Sequence, residues 1–260
     1  ESTGSVLRLT QGEKGFMLDK TFSCKPGTYP SYSAPDDADP ITVGSLVDFT
    51  ILPIENALDR LLIGVDRNAH ILYCAQNLDG AAEIIEAPAE GWGEIQAIRF
   101  ANRRLYLLDP TKNAIQSVPY LGRSGIGLQP ETYFGTQGPP LYDVIDFSII
   151  NTDAFFLRKN GGLVHCDYKG YLPDCAFAET LTSADGTSLI DLLDRGLFAL
   201  RSNEPPDASL YVFDSDSQSL INATYKLNLL RYLTPDRFSS DSSSESATAF
   251  TFFDRATVIW

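Results

Sequence analysis

The sequence predicts an all-β chain folded as a β-propeller, and three observations carry that expectation. Short apolar runs rich in β-branched and aromatic residues alternate with turns built from Asp, Asn, Pro and Gly along most of the chain. The runs recur at a fixed period, with first strands beginning at 46, 95, 144, 189 and 247, so that the spacings are 49, 49, 45 and 58. Each period holds several strands, and such units at this period are the mark of propeller blades. The expected architecture is a single domain over residues 1–260 with five blades, six being possible, each a four-stranded antiparallel sheet.

In chain order, residues 1–43 are the least regular. Ser5–Thr10 and Gly15–Asp19 read as short strands around the turn Gln11-Gly12-Glu13-Lys14, and Lys25–Pro40, with four prolines, as an extended loop. The repeats then begin. Their first strands are Leu46–Ile51, Ile95–Phe100, Val144–Ile149, Leu189–Leu192 and Ala247–Phe252. The second strands align at Leu61–Val65, Leu105–Leu108, Ala154–Leu157 and Leu210–Phe213. The third strands align at Ile71–Cys74, Ala114–Val118, Leu163–Cys166 and Leu220–Ala223. Turns of the expected chemistry separate the second and third strands: Asp66-Arg67-Asn68, Asp109-Pro110, Lys159-Asn160-Gly161-Gly162 and Asp214-Ser215-Asp216. A serine-rich stretch, 238–246, accounts for the long last spacing, and Leu227–Tyr232 reads equally as a short helix or an outer strand. The fifth unit stops at Trp260, so the N-terminal strands are expected to complete it and leave no open sheet edge.

Composition narrows the partners. The formal net charge of −14 disfavours nucleic acid, which needs clustered Lys and Arg. The longest apolar runs fall well short of a membrane span. Glu1-Ser2-Thr3-Gly4 does not read as a chain start, and Val258-Ile259-Trp260 ends in what reads as mid-strand, which suggests a piece of a longer polypeptide. A protein or small-molecule ligand is the expected partner.

Four cysteines in an acidic chain read as two disulfides and an extracellular or cell-envelope location. Cys175 lies just past Cys166 across Lys169–Pro173, a distance suited to neighbouring strands of one blade. That pairs Cys166 with Cys175 and, by elimination, Cys24 with Cys74. Chain entropy makes the short loop worth about 2.5–3 kcal/mol and the long one about 4. No C-x-x-C occurs, and His70 and His165 show no ligand spacing, so neither a metal–thiolate site nor a cysteine nucleophile is expected.

The segment Asn102–Ile115 runs polar break, Leu-Tyr-Leu-Leu-Asp, four residues, Asn-Ala-Ile. It resembles the repeat of NHL-type and related extracytoplasmic propellers, with Asn102 where that repeat usually has glycine. The resemblance implies the fold and an extracytoplasmic setting, and fold alone does not imply function.

Asp48, Asp146 and Asp191 occupy one equivalent position of three first strands, with Ala97 and Ala249 in the others. First strands line the central channel of a propeller, so these carboxylates could converge on a hard cation such as Ca²⁺. Each could equally cap a loop or bond a backbone amide. Calcium-dependent lactonase-like propellers use a central acidic site of this general kind, but the matching Glu and Asn motifs are missing and no catalytic residue is assigned. Gly122–Gly127 lacks the lysine and helix of a phosphate loop, and no G-x-S-x-G elbow occurs. Asn222-Ala223-Thr224 fits the N-glycosylation pattern. Tyr29, Tyr32, Trp92, Tyr133 and Phe134 fall in expected loops, where exposed aromatics can anchor a partner. The expectation is therefore an extracytoplasmic binding or interaction module of unknown ligand, suited to the ectodomain of a larger protein, with catalysis left open. The alternatives are a calcium-dependent lactonase-like hydrolase and a structural component of a surface assembly.

Overall fold

The computed structural model describes residues 4–12, 15–30, 39–52, 61–74, 83–85, 92–121, 127, 129–159, 162–180, 187–191, 197–201, 209–214, 219–222, 251–253 and 257–259. No α-helix occurs among them, and none of their segments forms a helix long and apolar enough to cross a membrane. Strands β1 (Arg8–Gly12) and β2 (Gly15–Leu18) form a hairpin. Strands β3 (Gly27–Tyr29) and β4 (Ile41–Val43) pair, β3 lying within the stretch Lys25–Pro40 that the sequence suggested as loop. The first blade is β5 (Leu46–Leu52), β6 (Leu61–Asp66), β7 (Ile71–Tyr73) and β8 (Glu83–Ile85). The second is β9 (Ala97–Ala101), β10 (Arg104–Asp109), β11 (Ala114–Pro119) and β12 (Glu131–Thr132). The third is β13 (Val144–Ile150), β14 (Asp153–Arg158), β15 (Gly162–Asp167) and β16 (Asp174–Thr180). The fourth is β17 (Thr187–Asp191), β18 (Leu197–Arg201), β19 (Ser209–Asp214) and β20 (Ser219–Asn222). Finally β21 (Thr251–Phe253) and β22 (Thr257–Ile259) join β1 and β2 in one sheet of order β2-β1-β22-β21, with Arg8 opposite Ile259. The chain is a β-propeller of four-stranded antiparallel sheets.

The fourth blade corrects the expected alignment. Leu210–Phe213 lies in its third strand and Leu220 in its fourth, because Leu197–Arg201 supplies a second strand that the sequence alignment skipped. Of the segments expected elsewhere, Leu227–Tyr232, 238–246 and Gly122–Ile126 lie outside the described residues.

Blade strands carry apolar side chains on both faces because each sheet packs between two others. Leu52, Ile63, Val65 and Ile71 of the first blade meet Ile98, Leu105, Leu107 and Val118 of the second in one buried cluster. Tyr106, Leu108 and Ile115 meet Phe147, Phe156 and Phe134 between the second and third. Full burial of each such side chain is worth about 1.5–3 kcal/mol. These clusters fix the spacing of the innermost strands: β5 lies beside β9, β9 beside β13, and β13 beside β17. At the edge of the second blade opposite the first-strand starts, Asn102 and Arg103 turn the innermost strand β9 into β10 with φ of 48° and 58°. Two positive φ values match the right-handed strand twist, and Asn adopts them more readily than most residues, which explains how it stands where the related repeats use glycine.

Both disulfides are formed. Cys166 and Cys175 sit directly opposite each other on β15 and β16, and Cys24 is joined to Cys74, which ties the segment after the first hairpin to the first blade.

Candidate functional site

In an antiparallel four-stranded blade, the start of the first strand, the end of the second and the start of the third lie at one edge. The first three blades gather these ends around a cavity of about 790 Å³. Ser45, Gln96 and Ile145 line it from the first-strand starts, Arg67, Asn68 and Thr111 from the turns, and Asp48, Arg99 and Asp146 from the innermost strands.

Two clasps build the rim. Asp66, ending β6, is almost fully buried and accepts the backbone N–H of Gly44 at 2.8 Å, of Asn68 at 2.9 Å and of His70 at 2.9 Å, with His70 Nδ1 2.8 Å away. Asp109, ending β10, repeats the arrangement: it accepts the N–H of Gly93 at 2.6 Å and of Lys112 at 3.1 Å, and the Thr111 hydroxyl at 2.6 Å. A glycine before each first strand thus ties to an aspartate after each second strand. Buried carboxylates persist here because each is saturated by donors. The third blade uses the opposite polarity: Arg158 stands at the aspartate's place, bonds Asp143, and donates to the Pro140 carbonyl at 3.1 Å. His70 thus belongs to a turn clasp, while His165 stacks on Phe155 and meets Asp153 at 2.6 Å on the third blade.

Deeper in, the ladder slips by one residue between Leu46 and Asp48 and between Val144 and Asp146, two bulges at equivalent positions of β5 and β13. A bulge re-aims the side chain that follows it. Asp48 consequently reaches the second blade, accepting the N–H of Ile98 at 2.8 Å and a guanidinium N–H of Arg99. The other guanidinium nitrogen of Arg99 bonds Asp146 of the third blade. Arg99 therefore bridges two expected metal-site aspartates, one guanidinium between two carboxylates across three blades. All three side chains are roughly nine-tenths buried, which makes the pairing stronger than at an open surface. The side chain of Asp191 lies outside the described residues. Among those residues no group of three or more His, Cys, Asp or Glu is arranged to hold a metal ion.

Arg99 was not singled out from the sequence. Its signal was present: the one blade of these three with alanine at the aspartate position, Ala97, carries arginine two residues on, on the same strand face.

Among the described residues, Tyr29, Trp92, Tyr133 and Phe134 lie in different surroundings. Tyr29 sits in β3 and donates its hydroxyl to the Lys25 carbonyl at 2.7 Å, while Tyr32 is outside the described residues. Trp92 packs partly buried against the cluster between the first two blades. Phe134 is buried in the cluster between the second and third blades, with Tyr133 packed against it. Tyr133 meets Tyr106 at 5.2 Å and Tyr168 at 5.0 Å between ring centres. Burial first, then the neighbouring Tyr106, Tyr168, Asp153 and Asp167, pushes the Tyr133 hydroxyl well above its usual range. The residues are apolar enough to fill an inter-blade gap, and that is where Phe134 goes.

No family model matches the chain, and no curated protein matches it. Solved structures do. A functionally unknown protein from Desulfotomaculum acetoxidans is 12% identical, with a TM-score of 0.44 over 72% of this chain and 59% of that one. The Dos1 propeller is 13% identical, with a TM-score of 0.38 over 75% of this chain and 51% of the other. A nidogen/laminin complex chain is 12% identical, with a TM-score of 0.40 over 84% and 88%. The chain spans a little over half the length of the first two.

Proposed function

We propose that the chain is an exported β-propeller binding module whose ligand or partner seats in the cavity framed by the first three blades. The observation that carries this reading is the Asp48–Arg99–Asp146 bridge at the cavity wall. Three blades present polar side chains into one 790 Å³ space, held by ion pairs and buried clasps. Rigid scaffolds that hold polar groups at the mouth of a concavity are suited to recognition. Two disulfides support an oxidising compartment. Five blades closed by the N-terminal hairpin complete the proposal. Isotope-labelled chain screened by NMR against small anionic, cationic and neutral compounds tests it. Shifts gathered on the amides of Ser45, Asn68, Gln96 and Ile98 are expected; shifts confined to the far side of the blades would refute it.

A further inference from the structure

The third strand of each of these blades starts at the cavity edge, so its connection to the fourth strand lies at the opposite face. In the third blade that connection is closed on itself. Cys166 and Cys175 join β15 to β16 at a sequence separation of 9, and the chain between them turns through Gly170 with a φ of 88°. Tyr168 anchors the near limb: its ring lies 5.0 Å from those of Tyr133 and Phe134, and its N–H donates to the Thr152 carbonyl at 2.8 Å. Lys169 is held back on Asp167 at 2.8 Å. The tip itself is Tyr171, 70% exposed, and Leu172, 65% exposed. A turn that only reverses the chain is satisfied by small polar residues. Two adjacent large apolar side chains in water, on a loop fixed at its base, form a knob whose shape is set before any partner arrives. Leu121, 52% exposed just past β11, adds an apolar side chain at the same place in the second blade. The register adds charge: Asp167 lies directly opposite Asp174 beside the disulfide. Lys169 bonds the first, and the exposed Asp174 keeps the base of the knob negative.

We propose that this face is a second binding surface, on which Tyr171 and Leu172 enter an apolar pocket of a protein partner whose rim carries lysine or arginine. Charge selects the occupant. An anionic lipid surface meets Asp167, Asp174 and a chain of net charge −14, and is repelled. A second copy of the chain carries that same net charge. A basic rim around an apolar pocket matches both the knob and the carboxylates at its base. The cavity on the other face takes no part, so the two sites stand or fall separately.

A host of this chemistry exists in small form. β-Cyclodextrin is an apolar-lined ring, and its amino-substituted derivative adds a rim of ammonium groups. The full isotope-labelled chain is titrated with the amino, neutral and carboxymethyl rings, and with vesicles of phosphatidylcholine and of phosphatidylglycerol. Tyr142 is the internal reference, since it is also 70% exposed but stands beside the buried Leu141 at the cavity face, just before β13. The expected result is that the amide signals of Tyr171 and Leu172 shift well before that of Tyr142. The amino ring should bind about twofold to fivefold more tightly than the neutral ring, and the carboxymethyl ring least. Tyr171→Ser and Leu172→Ser, at exposed positions that leave the disulfide in place, should each weaken binding about fivefold or more. Asp174→Asn should narrow the preference for the amino ring and leave the affinity of the neutral ring unchanged. Equal shifts at Tyr142 and Tyr171, unchanged affinity in both serine variants, or no preference for the amino ring would overturn the proposal. Tip signals that shift with vesicles and with no ring would assign the knob to a lipid surface instead. Tip signals that change with chain concentration alone would assign it to a second copy, and either of these outcomes overturns the protein partner.

Discussion

Arg99 is the residue whose loss should be felt most widely, because one guanidinium is the counter-charge shared by two carboxylates from two other blades. Arg99→Ala leaves Asp48 and Asp146 about nine-tenths buried with their shared counter-charge gone. Removing one partner of a buried pair costs about 3–5 kcal/mol, since the remaining charge stays uncompensated. Two pairs are lost here, but the cavity gives both carboxylates access to water, which holds the expected cost within that range rather than doubling it. For a chain of this size each kcal/mol moves Tm by about 2–4 °C, so a fall of about 6–20 °C is expected. Urea unfolding of Arg99→Ala, Asp48→Asn and the double variant would measure it. The double variant should be less destabilised than the sum of the singles, because removing one carboxylate relieves the charge that Arg99→Ala strands. A loss below about 1 kcal/mol with additive singles would refute the reasoning and show that the bridge behaves as a solvated surface pair.

Other expectations follow from the clasps, the cross-links and the tyrosines. A Cβ on Gly93 would come within 2.6 Å and 2.7 Å of the Asp109 carboxylate oxygens, whereas one on Gly44 would meet Asp66 at an ordinary 3.5 Å. Gly93→Ala should therefore cost about 1–3 kcal/mol in urea unfolding and Gly44→Ala clearly less, although both glycines occupy the same place in the repeat. Removing the Cys24–Cys74 bond, which closes 50 residues, should cost about 4 kcal/mol, against about 2.5–3 for Cys166–Cys175, which closes 9. Paired Cys→Ser variants in thermal melts would rank them. Burial raises the hydroxyl pKa of Tyr133 and of Tyr106 above the ordinary 10.0. A raised folded-state pKa gives stability that is complete below the unfolded pKa and is lost as pH rises beyond it, so alkaline unfolding should begin above about pH 10. Phenolate absorbance should show two tyrosines ionising together with unfolding rather than before it, and replacing Tyr133 with Phe should remove part of that pH dependence.

Much of the fold was legible because blade strands are short, apolar and turn-bounded, and because the period repeats. Leu46, Ile95 and Val144 mark equivalent starts; the Cys166–Cys175 pair followed from strand adjacency and Cys24–Cys74 by elimination. The skipped strand Leu197–Arg201 shows where pattern reading slips: a strand alignment that allows one match per level passes over a second candidate. The distance from 189 to 210 was about twice that from 95 to 105 or from 144 to 154, and that surplus was the signal. The site was half legible. The equivalence of Asp48 and Asp146 placed both at the channel wall, but the bulges that aim them at the neighbouring blade leave no mark in the residue types around them. Arg99 was overlooked because pattern reading looked for what repeats, and Arg99 acts by departing from the repeat. The same holds for Arg158, which reverses the polarity of the aspartate clasp in the third blade. Phe134 was misplaced for another reason: chain position puts it in a loop, and only packing reveals that the loop folds back between two blades.

The central claim is that recognition occurs in the cavity of the first three blades. Gln96 has an exposed side chain at the cavity mouth, while its backbone N–H bonds the Leu108 carbonyl at 2.9 Å and is unaffected by a change of side chain. Gln96→Trp should therefore block the mouth without disturbing the blade. Titrating wild-type and Gln96→Trp chains with any compound found to bind is the most direct measurement. The account predicts a loss of affinity of about tenfold or more with an unchanged melting temperature. Unchanged affinity in the blocked variant would contradict it and move the site elsewhere on the propeller.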